Sequence, residues 1–207
     1  MNIVLNNTGK RYNREWIFRH LNQEFRSGES YAITGPNGSG KSTLLQVMAG
    51  AILHNEGEVI FQPSSNAKPI EEMEKYRHFS FAAPYLDLIE EMTGLEFLKF
   101  HHAFKPLSEP LDKILHKVGL SHAINKQVRY YSSGMKQRLK LAQAFFSDAP
   151  VLLLDEPTAN LDAGGVSLYH ELISNHTRGK LIVVCSNDEH EINFCSHRIS
   201  IPDYKRV

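Results

Sequence analysis

The sequence predicts an α/β fold with a mainly parallel core sheet, and three observations support this prediction. A glycine-rich stretch at 35–43 lies between an apolar strand pattern and a helical pattern. Two uninterrupted apolar runs, 151–154 and 181–184, are typical of strands buried on both faces of a parallel sheet. The 207 residues, 42% of them hydrophobic, suffice for one sizeable core. We therefore predict a single domain over 1–207, with a helical lobe within it at about 92–146.

The N-terminal part of the chain is predicted to form a small antiparallel sheet. Residues 2–5 and 16–25 carry β-branched and aromatic side chains with partial alternation, and a polar stretch that includes Tyr12 separates them. Residues 31–33 then form the strand that enters the glycine-rich stretch, and 44–49 have helical spacing.

Two further strands and the helical lobe are predicted before the second half of the chain. Residues 57–61 and 79–82 read as strands. From 92 to 125, apolar side chains recur at the spacing of one helix face. These side chains are Leu95, Leu98, Leu111, Leu115 and Val118.

The glycine-rich stretch contains the residue types that bind phosphate. Gly35, Gly38 and Gly40 let the backbone bend so that consecutive N–H groups point into one concavity, beside a helix N-terminus. Lys41 can reach the outer phosphates, and the Ser42 hydroxyl has the spacing of a Mg²⁺ ligand. The alternative is an ordinary glycine-rich turn, and the strand and helix on either side argue against it.

Two adjacent carboxylates, Asp155 and Glu156, follow the first long apolar run. Parallel sheets bind ligands at the carboxyl ends of their strands. This pair therefore suits the metal-binding and water-activating roles of nucleotide hydrolysis. The alternative is a polar strand end exposed to solvent.

Composition excludes several classes of function. Lys plus Arg and Asp plus Glu number 23 each, so the zero formal charge gives no sign of a nucleic-acid partner. No apolar run approaches the length of a membrane span, and we expect a soluble, cytoplasmic chain.

Cys185 and Cys195 are expected to be free thiols rather than a disulfide. His101 and His102, as neighbours on a helix, diverge too far to form a metal pair.

These residues together resemble the ATP-binding cassette (ABC) ATPases over nearly the whole chain. Residues 35–43 are similar to the family's P-loop, and 152–162 look like its Walker B strand and D-loop. The resemblance implies a P-loop NTPase fold of the ABC type, with ATP and Mg²⁺ as cofactors. The nucleotide-binding residues that it implies are Tyr12, Gly35, Pro36, Asn37, Gly38, Ser39, Gly40, Lys41, Ser42 and Thr43. Tyr12 would stack on adenine; the alternative is a packing tyrosine in a hairpin.

The resemblance also implies roles for individual residues. Glu156 would be the general base, acting with Lys41 and Ser186, and Ser42 and Asp155 would bind Mg²⁺. Residues 130–138 look like the signature loop, so Ser132, Ser133 and Gly134 would contact the ATP held by a partner subunit, and Asp162 would act across the same interface. Read alone, the serines indicate only a helix N-cap.

Three departures from the family pattern bear on rate. The signature has Tyr131 for Leu, Ser133 for Gly and Met135 for Gln, which are mild changes. The expected glutamine after 79–82 is absent, with Ala83 or Pro84 in its place, and the switch histidine appears as Ser186. Losing one such polar contact commonly lowers the rate by about 10² to 10³. We therefore expect slow but real hydrolysis.

The predicted function is that of an ATP-binding and hydrolysing ABC transporter subunit. It would form a dimer, expected to be a homodimer, around two Mg-ATP molecules and drive a separately encoded transmembrane permease from the cytoplasmic face of the inner membrane. One alternative is a non-transport ATP-dependent switch of the same family. The other is an ATP-gated clamp that hydrolyses weakly.

Overall fold

The computed structural model describes residues 1–64 and 67–205, which form two sheets and six α-helices within those ranges. The strands are β1 (Asn2–Tyr12), β2 (Glu15–Phe25), β3 (Ser30–Thr34), β4 (Glu56–Gln62), β5 (Phe79–Ala82), β6 (Val151–Asp155), β7 (Leu181–Cys185) and β8 (His197–Ser200). The helices are α1 (Lys41–Met48), α2 (Gly94–Phe104), α3 (Leu111–Lys117), α4 (Ser133–Phe145), α5 (Ala163–His176) and α6 (Glu189–Ile192).

The core is a five-stranded sheet in the order β5-β6-β7-β3-β8, and all its pairings are parallel. The prediction of an α/β fold with a mainly parallel sheet is therefore confirmed. Asp155 lies opposite Cys185, Cys185 opposite Ile33, and Leu154 opposite Ala82. Four strands thus end at one edge, and the polar segments that follow them meet there.

The side chains of β6 are buried on both faces of the sheet. Val151 and Leu153 pack into the core on one face of the sheet, while Leu152 and Leu154 pack into the core on the other. All four side chains are 0% exposed. Each contributes about 1.5–3 kcal/mol through burial, so an uninterrupted apolar run is favoured where both faces are covered.

The antiparallel sheet has the order β2-β1-β4 and covers one face of the core through α1. Strands β1 and β2 are longer than predicted because polar residues, among them the buried Thr8 and Lys10, continue the pairing up to Tyr12 and Glu15. Asn13, with φ 54°, makes the tight reversal between them. The hairpin therefore carries Tyr12 at its tip.

The region predicted to be helical contains α2, α3 and α4. Thr93 and Glu96 form a capping box at the start of α2, where each binds the other's backbone N–H. The Tyr131 hydroxyl donates to Ala123 O at 2.8 Å and fixes the segment that leads into α4.

Cys185 and Cys195 are free thiols. Within the described ranges, no helix has both the length and the apolar character needed to cross a membrane.

The fold yields a prediction at Gly57, which packs against an irregularity in β1. Its φ is +76°, and an added Cβ would lie 2.2 Å from Asn6 O. Gly28 has a similar φ of +81° with no heavy atom within 4 Å of an added Cβ. We expect Gly28→Ala to lower the free energy of unfolding by about 1 kcal/mol, through backbone strain alone. Gly57→Ala should cost at least about 2 kcal/mol more, because the backbone must also move. Urea denaturation measures both, and equal losses would show that the clash is relieved without cost.

Candidate functional site

The glycine-rich loop between β3 and α1 has the backbone geometry of an anion cradle. Gly35, Gly38 and Gly40 have φ values of 144°, 76° and 109°, a region that favours glycine. A Cβ on Gly35 would lie 2.7 Å from Ser39 Oγ, and one on Gly40 would lie 2.1 Å from Ile17 Cγ2. The loop ends at Lys41, the first residue of α1, so its N–H groups and the helix N-terminus face the same space.

Lys41 lies across this loop. The side chain is only 6% exposed, and its Nζ donates to Gly35 O at 2.8 Å. A longer contact of 3.5 Å joins Nζ to Pro36 O. The ammonium is therefore already held over the cradle by carbonyl oxygens, which a phosphate oxygen can replace.

A cavity of about 340 Å³ opens over the cradle. The residues that line it come from the hairpin tip, the loop, α1 and the end of β6: Tyr12, Ile17, Asn37, Gly38, Gly40, Lys41, Ser42, Thr43 and Glu156. Tyr12 is 45% exposed, and the Lys10 ammonium lies 4.9 Å from the centre of its ring. Sequence reasoning did not identify Ile17, because a β-strand isoleucine gives no local sign that it lines a ligand cavity.

Asp155 is the most unusual group in the site. It is 1% exposed, and neither carboxylate oxygen has a hydrogen-bond partner of good geometry among the described residues. Burial raises the pKa of Asp155, and the neighbouring Ser42 hydroxyl and Tyr85 phenol partly oppose the shift. Carboxylate and hydroxyl oxygens are the ligands that Mg²⁺ prefers. Asp155 and Ser42 therefore fit a Mg²⁺ site.

Glu156 lies on an exposed, strained turn directly after β6. Its φ is 41°, and its N–H donates to Cys185 O at 2.9 Å. A non-glycine residue in this region costs about 1–3 kcal/mol, and such strain clusters at functional sites. Glu156 lines the cradle cavity and also a second cavity of about 350 Å³, together with Asn37, Thr158, Ala159, Ser186, Asn187, Asp188 and Glu191. The structure thus brings Glu156 and Ser186 to one space.

Ser186 is 3% exposed, and its hydroxyl accepts from Asp188 N at 2.9 Å. Two neighbours that sequence reasoning missed make closer contacts with the rest of the site. The Asn187 amide is hydrogen-bonded to Gly35, and the Glu191 carboxylate accepts from Thr158 N at 2.6 Å. The sequence shows that polar residues follow a buried strand here. Which of them contacts the rest of the site depends on tertiary contacts that the sequence does not show.

Neither Ala83 nor Pro84, at the expected glutamine position, offers a side-chain polar group. Tyr85 follows them and lies beside Asp155. Partial burial raises the pKa of Tyr85 well above its ordinary value, and the Asp155 carboxylate adds to the shift. The phenol stays protonated, so it can donate a hydrogen bond toward the carboxylate.

A separate cavity of about 450 Å³ lies at the N-terminus of α4. Residues from three segments line it: Gly119, Leu120, His122, Ser132, Ser133, Gly134, Met135, Arg138, Asn160 and Asp162. Ser132 Oγ accepts from Met135 N, so this serine is also the N-cap. Asp162 Oδ1 accepts from Gly165 N at 2.8 Å and from Arg138 at 3.0 Å, and these bonds, the Gly165 one foremost, lower the pKa of Asp162. None of the residues named here lines the cradle cavity.

Comparisons with known proteins identify the family to which the chain belongs. The family model described as ABC transporter matches residues 18–159. The uncharacterized ABC transporter ATP-binding protein YhcH of Bacillus subtilis is 32% identical over 96% of this chain, which spans 66% of the relative's length. The cytochrome c biogenesis ATP-binding export protein CcmA of Xylella fastidiosa is 35% identical over 77% of this chain and 71% of its own length.

Solved structures share the fold. A dimeric post-hydrolysis structure of the ATP-binding cassette MJ0796 bound to ADP and Pi has a TM-score of 0.83 at 24% identity and covers 96% of this chain and 93% of its own. A putative ABC transporter ATP-binding protein from Pyrococcus furiosus has a TM-score of 0.83 at 18% identity, with full coverage of both chains.

The buried carboxylate yields a prediction about stability without ligands. In nucleotide-free protein with EDTA, we expect Asp155→Asn to raise the free energy of unfolding by about 1–3 kcal/mol at pH 7, because a neutral amide replaces a buried charge that its neighbours compensate only in part. Because burial raises the pKa of Asp155, the gain disappears below about pH 4, where the carboxyl group is protonated in both states.

Urea denaturation at pH 7 and pH 4 measures this difference. The exposed Asp148 provides a matched control, and Asp148→Asn should change stability by less than about 0.5 kcal/mol. A loss of stability in Asp155→Asn at pH 7 would contradict the interpretation, because it would mean that the protein itself compensates the charge.

Proposed function

Because the chain belongs to the ABC transporter family, we propose that it is the ATP-binding and ATP-hydrolysing subunit of a transporter. In this proposal two copies bind two Mg-ATP molecules between them and drive a separate transmembrane subunit. One observation carries the proposal: the cradle lysine Lys41, the buried carboxylate of Asp155 and the strained Glu156 meet at one edge of the sheet.

Binding of ATP follows from the cradle. The backbone N–H groups of the loop and the N-terminus of α1 bind the phosphates, and Lys41 turns from Gly35 O to the outer phosphates. Tyr12, at the hairpin tip beside the cradle cavity, stacks on the base. The remaining predicted residues, Pro36, Asn37, Ser39 and Thr43, shape the same loop and helix start.

Ser42 and Asp155 would hold Mg²⁺, which supplies charge neutralisation for the phosphates when bound. Glu156 orients a water molecule for attack and accepts its proton, and Lys41 stabilises the charge of the transferred phosphoryl group. The Ser186 hydroxyl accepts from Asp188 N, which leaves its own proton for donation toward the terminal phosphate.

Dimerisation is supported by the separation of the cradle cavity from the cavity at the N-terminus of α4. Ser132, Ser133 and Gly134 face a cavity away from the chain's own cradle, so a second subunit would bring its ATP to them. The hydroxyls and the N-terminus of α4 suit an anionic ligand. The structural neighbour MJ0796 is described as dimeric, which supports a dimer for this chain.

A role in transport rests on the relatives. Their names include an ATP-binding export protein and a lantibiotic transport ATP-binding protein. The helices α2 and α3, with the segment 83–88, are the proposed docking region for the transmembrane partner. The subunit would then act as a peripheral protein on the cytoplasmic face of the inner membrane.

A second candidate is a clamp that binds ATP and dimerises but hydrolyses it weakly. One observation favours it: the Tyr85 phenol lies near the Asp155 carboxylate, and the family's glutamine is absent. Both candidates use the same cradle and differ in the rate of the chemical step.

Glu156→Gln tests the proposed hydrolysis. We expect Mg²⁺-dependent phosphate release to fall at least about 10²-fold, because the amide cannot accept a proton. ATP binding should persist and an ATP-bound dimer should accumulate in gel filtration. Glu58→Gln, which changes an exposed carboxylate of β4, provides the control and should match the parent.

Two outcomes separate the candidates. If the parent releases phosphate and Glu156→Gln traps the dimer, the subunit is an ATPase with Glu156 as its base. If neither releases phosphate but both dimerise with ATP, the isolated chain is a clamp.

A further inference from the structure

The side-chain amide of Asn187 is paired with the peptide group of Gly35 across the carboxyl edge of the sheet. Asn187 Nδ2 donates to Gly35 O at 2.6 Å, and Gly35 N donates to Asn187 Oδ1 at 3.0 Å. With the amide oxygen and nitrogen exchanged, two donors and two acceptors would face each other, so only this orientation makes both hydrogen bonds. One side chain from the loop after β7 therefore binds both backbone polar groups of the first cradle glycine.

Gly35 O has a second donor, the Lys41 ammonium, at 2.8 Å. In a cradle of this kind the lysine is the group that reaches the outer phosphates, so Lys41 has to leave Gly35 O when nucleotide binds. The carbonyl would lose its charged donor at that moment. The Asn187 amide remains bonded to it and keeps the carbonyl paired.

Gly35 needs such support because of its conformation. Its φ is 144°, and a Cβ would lie 2.7 Å from Ser39 Oγ and 2.9 Å from Pro202 Cδ, so only glycine fits. Glycine also has the largest backbone freedom. A loop whose N–H groups must point into one concavity binds an anion more weakly if its backbone adopts other conformations. The two bonds to Asn187 restrict it.

Asn187 itself is carried by a fixed segment. Ser186 N donates to Ile33 O at 3.2 Å, which continues the pairing of β7 with β3 by one residue. Ser186 Oγ accepts from Asp188 N at 2.9 Å, and Asp188 Oδ1 accepts from His190 N at 2.9 Å. The residues on either side of Asn187 are therefore held by the sheet and by the start of α6.

We propose that Asn187 is a positioning residue for nucleotide binding, whose carboxamide holds the Gly35 peptide group so that the cradle keeps its shape when Lys41 turns to the phosphates. The proposal rests on the ATP binding proposed above and deepens it. Because Asn187 acts through the loop and not through the terminal phosphate, it supports ATP and ADP binding equally.

Asn187→Ala tests this role by removing both bonds. By isothermal titration calorimetry we expect the dissociation constants of ATP and ADP to rise together by about tenfold, the effect of losing one to two hydrogen bonds. The kcat at saturating ATP should change by less than about threefold. Asn187→Gln retains the carboxamide and should recover part of the affinity. Asn193→Ala, which changes an exposed asparagine just after α6, should match the parent.

Hydrogen exchange of the nucleotide-free protein tests the same contact without any ATP. The peptide that contains Gly35 should exchange about fivefold faster or more in Asn187→Ala than in the parent, while peptides from β6 are unchanged. Unchanged exchange at Gly35 would overturn the proposal. So would a loss of affinity for ATP alone, which would indicate a direct contact with the terminal phosphate. A parent that binds neither nucleotide would refute the proposed function and with it the nucleotide-positioning role, while the exchange comparison would still show whether Asn187 restrains the Gly35 peptide group.

Discussion

The register of the parallel sheet is the constraint on which the rest of the site depends. It places the ends of β3, β6 and β7 side by side, with Asp155 opposite Cys185 and Cys185 opposite Ile33. Two bonds continue this pairing beyond the strands, from Glu156 N to Cys185 O and from Ser186 N to Ile33 O. A slip of one residue in β6 would move every side chain of the strand to the opposite face of the sheet and turn the Asp155 carboxylate away from the cradle. The position of the chemistry thus follows from strand pairing.

The site holds groups that lower the stability of the folded chain, and the apolar core offsets them. Asp155 is buried with neither carboxylate oxygen in a well-formed hydrogen bond to any described residue, Glu156 has a strained φ, and the cradle relies on residues with high backbone freedom. A ligand that supplies positive charge to Asp155 and phosphate oxygens to Lys41 removes part of this cost. By linkage, a ligand that binds only the folded state stabilises it as its concentration rises. The features that oppose folding are therefore those that favour nucleotide.

The sequence predicted the parts of the site that are set by local pattern. The three cradle glycines, Lys41 and the carboxylates after β6 were identified because short motifs and apolar runs define them without reference to distant residues. The membership of β4 in the antiparallel sheet and the contact of Ile17 with the cradle depend on chain folding, so no local pattern indicated them. The same holds after β7, where position alone led to Ser186, while the side chain that reaches the cradle is that of Asn187.

The loop that follows Glu156 runs from the cradle cavity to the cavity at the N-terminus of α4. Near its start, Pro157 O accepts from Gln137 of α4 at 2.8 Å, and at its end Asp162 pairs with Arg138 of the same helix. Helix α4 also presents Ser133 and Gly134 to the cavity at its own N-terminus. In the proposed dimer, a shift of α4 toward the partner's nucleotide would move both ends of this loop, and with them the backbone of Glu156. In that proposal the base of one site would respond to the nucleotide in the other, because the helix whose N-terminus would face the partner's phosphates also contacts both ends of the loop after Glu156.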